Sequence, residues 1–170
     1  MVIGRGDIAT AIKDKDGYIY YVNGVSNRIP ITENTACREV TEVNNISSTI
    51  RSEMFVYVST LSVYYSSTDY TKHKTRMESL IKKNFENYAI LRIGNITWGD
   101  NPNTIINNLG FKIANKQHYE VRDEYRYILK RDEFRHWVGL IPRYGKHEMN
   151  ITSTRHKVKD IVKMIKDGKL

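Results

Sequence analysis

The sequence has little cysteine: Cys37 is the only one in a chain of 170 residues. A single cysteine cannot form an internal disulfide, which excludes a small disulfide-held secreted scaffold and is typical of the reducing cytoplasm. No neighbouring group marks Cys37 as a nucleophile, so we expect it to serve in packing.

Long apolar runs are also missing. No stretch approaches the ~20 apolar residues that a membrane-spanning helix needs, and the N-terminus lacks a signal-peptide pattern. The five histidines have no spacing typical of metal ligands, and His73 is expected to face solvent. We therefore expect a cytoplasmic protein without a membrane segment or a metal site.

Charge is plentiful but not clustered. The net charge of +8 could attract nucleic acid or an anionic ligand such as a nucleotide. Basic residues alternate with acids, however, as in RDEYRYILKRDEFRHW, and no basic tail or zinc-finger spacing is present. A solvated basic surface is therefore the favoured interpretation, and nucleic-acid binding ranks below it.

The distribution of apolar residues predicts an α/β fold, because strands alternate with helices over the first hundred residues and so favour a parallel sheet. Loops are expected over Asn27–Thr35 and Ile96–Pro102. The predicted strands are Met1–Ile3, Tyr18–Val22, Phe55–Thr60, Tyr88–Ile93, Tyr125–Leu129, Trp137–Ile141 and Asn150–Thr152. The predicted helices are a short piece over 9–13, Ala36–Ser52, one beginning near Asp69, Thr104–Leu109 and Val158–Ile165.

A Gly-rich loop follows the first strand, with the pattern G-x-G-x-x-A. Such glycines let the backbone approach a pyrophosphate, and a following helix N-terminus favours its charge. The loop therefore predicts a dinucleotide site formed by Gly4, Arg5, Gly6, Asp7 and Ile8, with Ala9 small enough for close packing.

A second junction between strand and loop is Asn23-Gly24, after the strand YIYYV. It has two interpretations, another edge that faces the cofactor or a simple turn.

Tyr70 and Lys74 lie four residues apart on a predicted helix and therefore share one face. A lysine ammonium favours the phenolate of a neighbouring tyrosine, so the pair could pass protons to and from a substrate oxygen. Thr60, at the end of the preceding strand, could hydrogen-bond the same oxygen. The alternative is an ordinary helix surface, since Tyr-x-x-x-Lys is common by chance.

The order of these features resembles the extended short-chain dehydrogenase/reductase family of nucleotide-sugar epimerases and dehydratases. FVYVSTLSVYY is similar to the family's strand ending in Ser/Thr and then Val-Tyr-Gly. Residues 91–99, LRIGNITWG, are similar to its Leu-Arg-x-x-Asn-x-Tyr-Gly segment. Tyr127-Ile128, Asp132, Asn150-Ile151 and the last helix also have counterparts, so the resemblance covers nearly the whole chain.

The resemblance implies roles for individual residues. Tyr70 would be the catalytic acid/base, Lys74 would lower its pKa and contact the nicotinamide ribose, and Thr60 would be the catalytic Ser/Thr. Asn95 and Trp98 would contact substrate. Leu61-Ser62 stands where the dehydratases have Asp-Glu, so epimerisation or carbonyl reduction is expected rather than dehydration.

The resemblance also implies a Rossmann-like domain with a reduced number of strands. Residues 1–102 would form the nucleotide-binding core, and 103–170 a small substrate region and C-terminal helix packed with it as one domain. Two strands that the family places before YIYYV are missing, because only Lys13–Gly17 fills that gap. These strands normally hold the adenine and carry the acid for the ribose 2′-hydroxyl. Arg5 could instead meet a 2′-phosphate, which would favour NADP over NAD.

Three functions remain after this comparison. The first is an NAD(P)-dependent epimerase or reductase for a small substrate resembling a nucleotide sugar. The second is a non-catalytic dinucleotide-binding or scaffold protein on the same fold, and the third is a basic nucleic-acid-associated protein. A homodimer is expected, because the missing strands leave a sheet edge exposed and the family often pairs its Tyr-Lys helix and the neighbouring helix in a four-helix bundle.

Overall fold

The computed structural model describes residues 1–25, 31–50 and 52–170. Its main strands are Val2–Ile3 (β1), Tyr18–Tyr21 (β2), Met54–Thr60 (β3), Tyr88–Ile93 (β4) and Lys146–Ile151 (β7). They form one sheet in the spatial order β1-β2-β3-β4-β7, and every neighbouring pair is parallel. The predicted α/β fold with a Rossmann-like parallel sheet is confirmed.

The strands at the middle of the sheet are apolar because both of their faces are covered. Every residue of β4 is buried, and β3 pairs with it over its whole length from Phe55 to Thr60. Fully buried parallel strands have near-continuous apolar sequences, as seen here. Alternate residues of each strand therefore enter two separate apolar cores, one on each side of the sheet.

Two long helices cover one face of the sheet, Glu33–Thr49 (α1) and Asp69–Asn84 (α2). Each begins at a threonine cap, Thr32 or Thr68, whose hydroxyl accepts the backbone N–H three residues later. The cap of α2 is thus Thr68, and the helix begins at Asp69 as expected. Their apolar stripes pack on Tyr21, Phe55, Tyr57 and Ile90 of the sheet.

Three sequence expectations for these helices need correction. α1 begins at Glu33, inside the predicted loop, because Thr32 caps it there; residues 27–30 of that loop lie outside the described residues. Cys37 is exposed rather than packed, since the buried stripe of α1 runs through Glu39 and Val43. His73 is buried rather than facing solvent.

The opposite face is covered by the helix Arg131–Gly139 (α4) and a 3-10 turn, Ala9–Ala11. The predicted strand Trp137–Ile141 is wrong, because its first half completes α4. Phe134 and Val138, four residues apart, are buried on one side of that helix. Trp137 hides this helical pattern in the sequence, because it is a large apolar residue that is nevertheless 41% exposed.

The part of the chain after β4 builds a second, smaller sheet from Asn95–Ile96 (β5), Tyr125–Leu129 (β6) and Arg155–Lys157 (β8), in the order β5-β6-β8. The helices Ile105–Ala114 (α3) and Val158–Lys166 (α5) pack beside it. This region also supplies β7, which pairs with β4 at one edge of the main sheet.

The link between β1 and β2 is short. Strand β1 pairs directly with β2, and the only helical structure between them is the 3-10 turn Ala9–Ala11. No further strand lies in this link, all of whose residues are described, so β1 forms an edge of the main sheet. Among the described residues, no helix combines the length and the apolar character needed to cross a membrane.

Candidate active site

The residues singled out in the sequence gather at the carboxyl ends of the parallel strands. Gly4 follows β1, Asn23 lies two residues after β2, Thr60 ends β3, and Gly94 follows β4. In open parallel sheets this edge is where ligands bind. The candidate site therefore lies there.

The conformation of the Gly-rich loop is explained by contacts within the protein. Gly4 has φ +135°, and a Cβ there would lie 2.8 Å from the Val22 backbone, so only glycine allows β1 and β2 to end this close together. Gly6 has open space around it. The expected helix N-terminus is absent, because the 3-10 turn that follows has only three residues and cannot supply a helix dipole.

Asp7 fastens this loop to the segment after β5. Its carboxylate accepts the backbone N–H groups of Asp100 (3.2 Å) and Asn101 (3.1 Å), and its carbonyl accepts the indole N–H of Trp98 (2.8 Å). Asp7 thus serves to hold two loops together.

The remaining loop residues differ in exposure. Arg5 is exposed, whereas Ile8 packs against the apolar core beneath the loop. Of the two side chains, only that of Arg5 is free to reach a ligand in solution.

Asn23 and Gly24 contact helix α1. The Asn23 amide donates to the Glu42 carboxylate at 3.0 Å. A Cβ on Gly24 would lie 2.7 Å from both Glu39 Oε1 and Lys74 Nζ, so a glycine is needed where this backbone passes. The junction therefore serves the packing of β2 on α1 and α2.

Tyr70 and Thr60 come together as expected. Burial raises the pKa of Tyr70 to about 12, and the negative charge of Glu39 acts in the same direction. A hydrogen bond with the Thr60 side chain acts in the opposite direction. The phenol therefore keeps its proton at neutral pH in this structure.

Lys74 is buried, with a relative exposure of 3%. Its ammonium donates to the Tyr57 hydroxyl at 2.9 Å, lies 3.7 Å from Glu39 Oε1, and lies 5.9 Å from the centre of the Tyr70 ring. Burial lowers the pKa of Lys74, and the Glu39 charge opposes this. The pKa of Tyr70 is raised rather than lowered in this structure, first because of burial and second because of the Glu39 charge.

Glu39 is the residue that the sequence analysis missed. Its carboxylate is fully buried and accepts the Val25 backbone N–H (2.6 Å), the Tyr57 hydroxyl (2.7 Å) and His73 Nε2 (3.0 Å). Burial alone would raise its pKa, but Lys74 and these hydrogen bonds together hold it below the usual value. The available signal was an acid four residues before Val43, on the apolar stripe of α1.

Asn95 and Trp98 are engaged within the protein. The Asn95 amide donates to the Tyr127 carbonyl at 3.2 Å, which ties β5 to β6. The Trp98 ring lies 5.5 Å from that of Phe134, beside the core. Both predicted substrate contacts therefore have structural partners.

A second buried ionic cluster was also missed. Arg92, within β4, binds Glu78 of α2 through Nε (3.0 Å) and Glu148 of β7 (2.7 Å), and donates to the Tyr64 hydroxyl (2.8 Å). The Ser59 hydroxyl donates to Glu78 at 2.6 Å. The signal was an arginine inside an otherwise apolar strand. This cluster ties α2 to the sheet beside the Tyr70–Lys74 face.

A cavity of about 550 Å³ lies at the other end of the sheet, where β2 begins at Tyr18. Its walls come largely from the charged turn Asp14–Gly17, together with Arg143. None of the residues predicted for the site borders it. We place the candidate site at the carboxyl edge, because the buried polar side chains converge there.

No family model matches this chain, and no curated protein matches its sequence. Its fold matches solved structures. The Bordetella bronchiseptica enzyme WbmG, in complex with NAD and UDP, has a TM-score of 0.75 at 15% identity. UDP-glucuronic acid 4-epimerase from Bacillus cereus, in complex with UDP-glucuronic acid and NAD, has 0.73 at 15% identity, and UDP-glucose 4-epimerase from Thermotoga maritima, with UDP-glucose, has 0.65 at 14%.

This chain has the fold of these solved structures. The three matches cover 90%, 89% and 90% of this chain but only 56%, 59% and 61% of those proteins. The resemblance expected from the order of motifs is thus confirmed for the fold. The link between β1 and β2 contains no further strand, as the sequence analysis expected.

Proposed function

We propose that this protein binds NAD(H) and acts as an epimerase or reductase on a small substrate of the nucleotide-sugar class. The observation that carries the proposal is the partly buried Tyr70 phenol beside the Thr60 hydroxyl, at the carboxyl end of β3. Neighbours with this fold were solved with NAD, and with UDP or UDP-glucuronic acid, which supports the cofactor and the substrate class.

The residues present match the nicotinamide end of such a cofactor better than its diphosphate end. At the nicotinamide end, Thr60 and Tyr70 provide two hydroxyl groups at one place. At the diphosphate end, the backbone of Gly4–Gly6 provides an open approach and Arg5 a positive charge, without a helix dipole. We therefore assign the diphosphate to this loop.

Bound NAD would supply the acceptor and donor of a hydride. The task of the protein is then to position the substrate oxygen and to move its proton. Tyr70 is protonated at neutral pH, which suits a donor to a carbonyl oxygen, and Thr60 is placed to hold the same oxygen. The Lys74 ammonium lies in the same cluster, 5.9 Å from the centre of the Tyr70 ring.

NAD(H) is the form we propose, although Arg5 favoured NADP in the sequence analysis. Arg5 is exposed, and nothing in its surroundings marks a pocket for a 2′-phosphate. Two of the neighbours named above were solved with NAD.

A non-catalytic dinucleotide-binding or scaffold protein is the second candidate. It is favoured by Lys74, whose ammonium is already held by Tyr57 and Glu39, and by the three-residue turn after the Gly-rich loop. Both features would weaken cofactor binding and reduce turnover.

Fluorescence titration separates these candidates. NADH and NADPH are titrated in parallel against the protein, and we expect binding with a preference for NADH. Failure of both to bind at millimolar concentration would remove the oxidoreductase proposal. Binding without hydride exchange on any UDP-sugar would favour the non-catalytic candidate.

The role of Tyr70 is tested by Tyr70→Phe, which removes only the hydroxyl. We expect turnover to fall by about 100-fold or more, the usual share of an acid/base group, while the affinity for NADH changes little. The matched control is Tyr65→Phe, because Tyr65 is 53% exposed and lies on the same connection between β3 and α2. Equal turnover of the two variants would contradict the assignment.

A further inference from the structure

The Glu39 carboxylate joins four elements of the fold. It lies on α1 and accepts hydrogen bonds from Val25 after β2, from Tyr57 of β3 and from His73 of α2. Its own exposure is zero. A buried carboxylate with this many donors is fixed in place and is expected to remain ionised.

The position of Lys74 follows from this carboxylate. Its ammonium lies between Glu39 Oε1, at 3.7 Å, and the Tyr57 hydroxyl, at 2.9 Å. A lysine with 3% exposure needs a compensating charge, and Glu39 supplies it. Gly24 closes this arrangement on the side of β2, where any Cβ would meet both charged groups.

We propose that Glu39 is a positioning residue for the Tyr70–Lys74 pair, which holds the Lys74 ammonium against Tyr57 and keeps a buried negative charge beside the Tyr70 phenol. This inference deepens the proposed function and rests on it for the role of Tyr70. The contacts of Glu39 do not depend on a bound ligand.

Other ionisable groups lie in the same environment as Glu39. Tyr21 reaches it from β2, Tyr57 from β3, and His73 and Glu78 from α2. Of these, only Glu78 is a second carboxylate, and its oxygens are bound by Arg92 and Ser59. Glu39 is therefore the carboxylate whose charge Tyr70 experiences, as the direction of its pKa shift also indicates.

The consequence is that the resting protein keeps Tyr70 as a proton donor. Tyr70 can act as a base only after the balance between Glu39 and Lys74 changes, for example when a bound ligand competes for the ammonium. Glu39 thus adds to the effect of burial, which by itself already favours the protonated phenol.

The test measures the protonation of Tyr70 directly. The protein is labelled with tyrosine carrying ¹³C at Cζ, and the Tyr70 signal is identified by its loss in Tyr70→Phe. We expect this signal to keep its phenol position to pH 10.5 or above in the native protein. In Glu39→Gln its midpoint should fall by about one pH unit or more, because a like charge has been removed.

Glu42→Gln is the matched control, since Glu42 lies one turn further along α1 and its carboxylate accepts from the Tyr21 hydroxyl at 2.6 Å. It should shift the Tyr21 signal and leave that of Tyr70 in place. If Glu39→Gln does not fold, the double variant Glu39→Gln/Lys74→Met is compared with Lys74→Met, and its Tyr70 midpoint should be the lower of the two, because only the Glu39 charge differs between them.

An unchanged Tyr70 midpoint in either Glu39 variant would overturn the inference. The measurement needs no cofactor and no turnover, so its result is separate from the fate of the proposed function. A shifted midpoint in a protein that fails to bind NADH would support Glu39 while removing the oxidoreductase proposal.

Discussion

Three ionisable side chains of α1 and α2, those of Glu39, His73 and Lys74, are almost fully buried. They neutralise and hydrogen-bond one another rather than facing a ligand. Tyr70 stands at the border of this cluster with a raised pKa. At the scale of the residue, the site is thus a phenol next to an already satisfied ion pair.

Removal of Lys74 should lower the unfolding free energy, because a buried charge then lacks its partner. Lys74→Met leaves the Glu39 carboxylate without its counter-ion, and we expect a loss of about 3 to 5 kcal/mol in unfolding free energy at pH 7. Lys72→Met, on the same helix with an ammonium 62% exposed, should change it by less than about 0.5 kcal/mol.

The sign of the pH dependence follows from Glu39. While Lys74 is present, the pKa of Glu39 is lower in the folded protein than in the unfolded chain. The ionised Glu39 therefore stabilises the fold at any pH above its unfolded pKa, and this stabilisation is lost as the pH falls through its folded pKa. Without Lys74, burial raises the Glu39 pKa, and protonation then relieves the cost. The difference in unfolding free energy between the native protein and Lys74→Met should therefore become smaller between pH 7 and pH 4.5, as measured by urea unfolding. A difference that stays constant over this range would contradict the pairing of Glu39 with Lys74.

At the scale of the element, α2 is the part that positions the site. Its N-terminal cap Thr68 fixes where the helix begins, and thereby where Tyr70 lies in its first turn. Further along, Met77 and Ile81 anchor the helix in the core, while Glu78 ties it to β4 through Arg92. Displacement of the first turn would therefore move the phenol away from Thr60.

Thr68→Ala tests this capping. The substitution removes the hydroxyl that accepts the Thr71 N–H, and we expect a loss of about 1 kcal/mol in unfolding free energy. Thr75→Ala is the control, because Thr75 is an exposed mid-helix residue whose hydroxyl only donates to the carbonyl of Thr71. It should be neutral or slightly stabilising. Equal losses in thermal or urea unfolding would argue against the cap.

At the scale of the whole molecule, β1 forms one edge of the main sheet. That strand pairs only with β2, and its two residues end the main sheet. The outward faces of α1 and α2 are polar, with exposed residues Thr41, Asn44, Asn45, Ser48, Lys72, Thr75, Arg76, Ser79 and Lys83. A dimer contact through the edge at β1 is therefore favoured over one through the face of α1 and α2, which the resemblance implied.

The homodimer expected from the sequence stays a prediction, and light scattering measures it. We expect a mass of twice 19.9 kDa at micromolar concentration, with contact through the β1 edge. Val2→Pro should shift the mass towards the monomer, because proline blocks pairing of an exposed edge. A monomeric mass of the native protein at every concentration would refute the dimer.

The sequence by itself determined the class of the fold and the strands at the middle of its main sheet. Met54–Thr60 and Tyr88–Ile93 are recognisable because burial on both faces demands continuous apolar residues, which is a local property of the chain. The pairing of Tyr70 with Thr60 was likewise predictable, since the end of a strand and the next helix meet at one edge of a parallel sheet.

Only the tertiary structure decided the charges of the site. Glu39 and His73 are 34 residues apart, and nothing local indicates that they meet in the core beside Lys74. The same holds for Asp7, whose partners Asp100 and Asn101 lie on a distant loop. A hydrophobic pattern shows which face of a helix is buried, but the partner of a buried charge depends on which elements are packed together. The packing of α1 against α2 therefore made Lys74 the partner of Glu39, and it set the protonation of Tyr70.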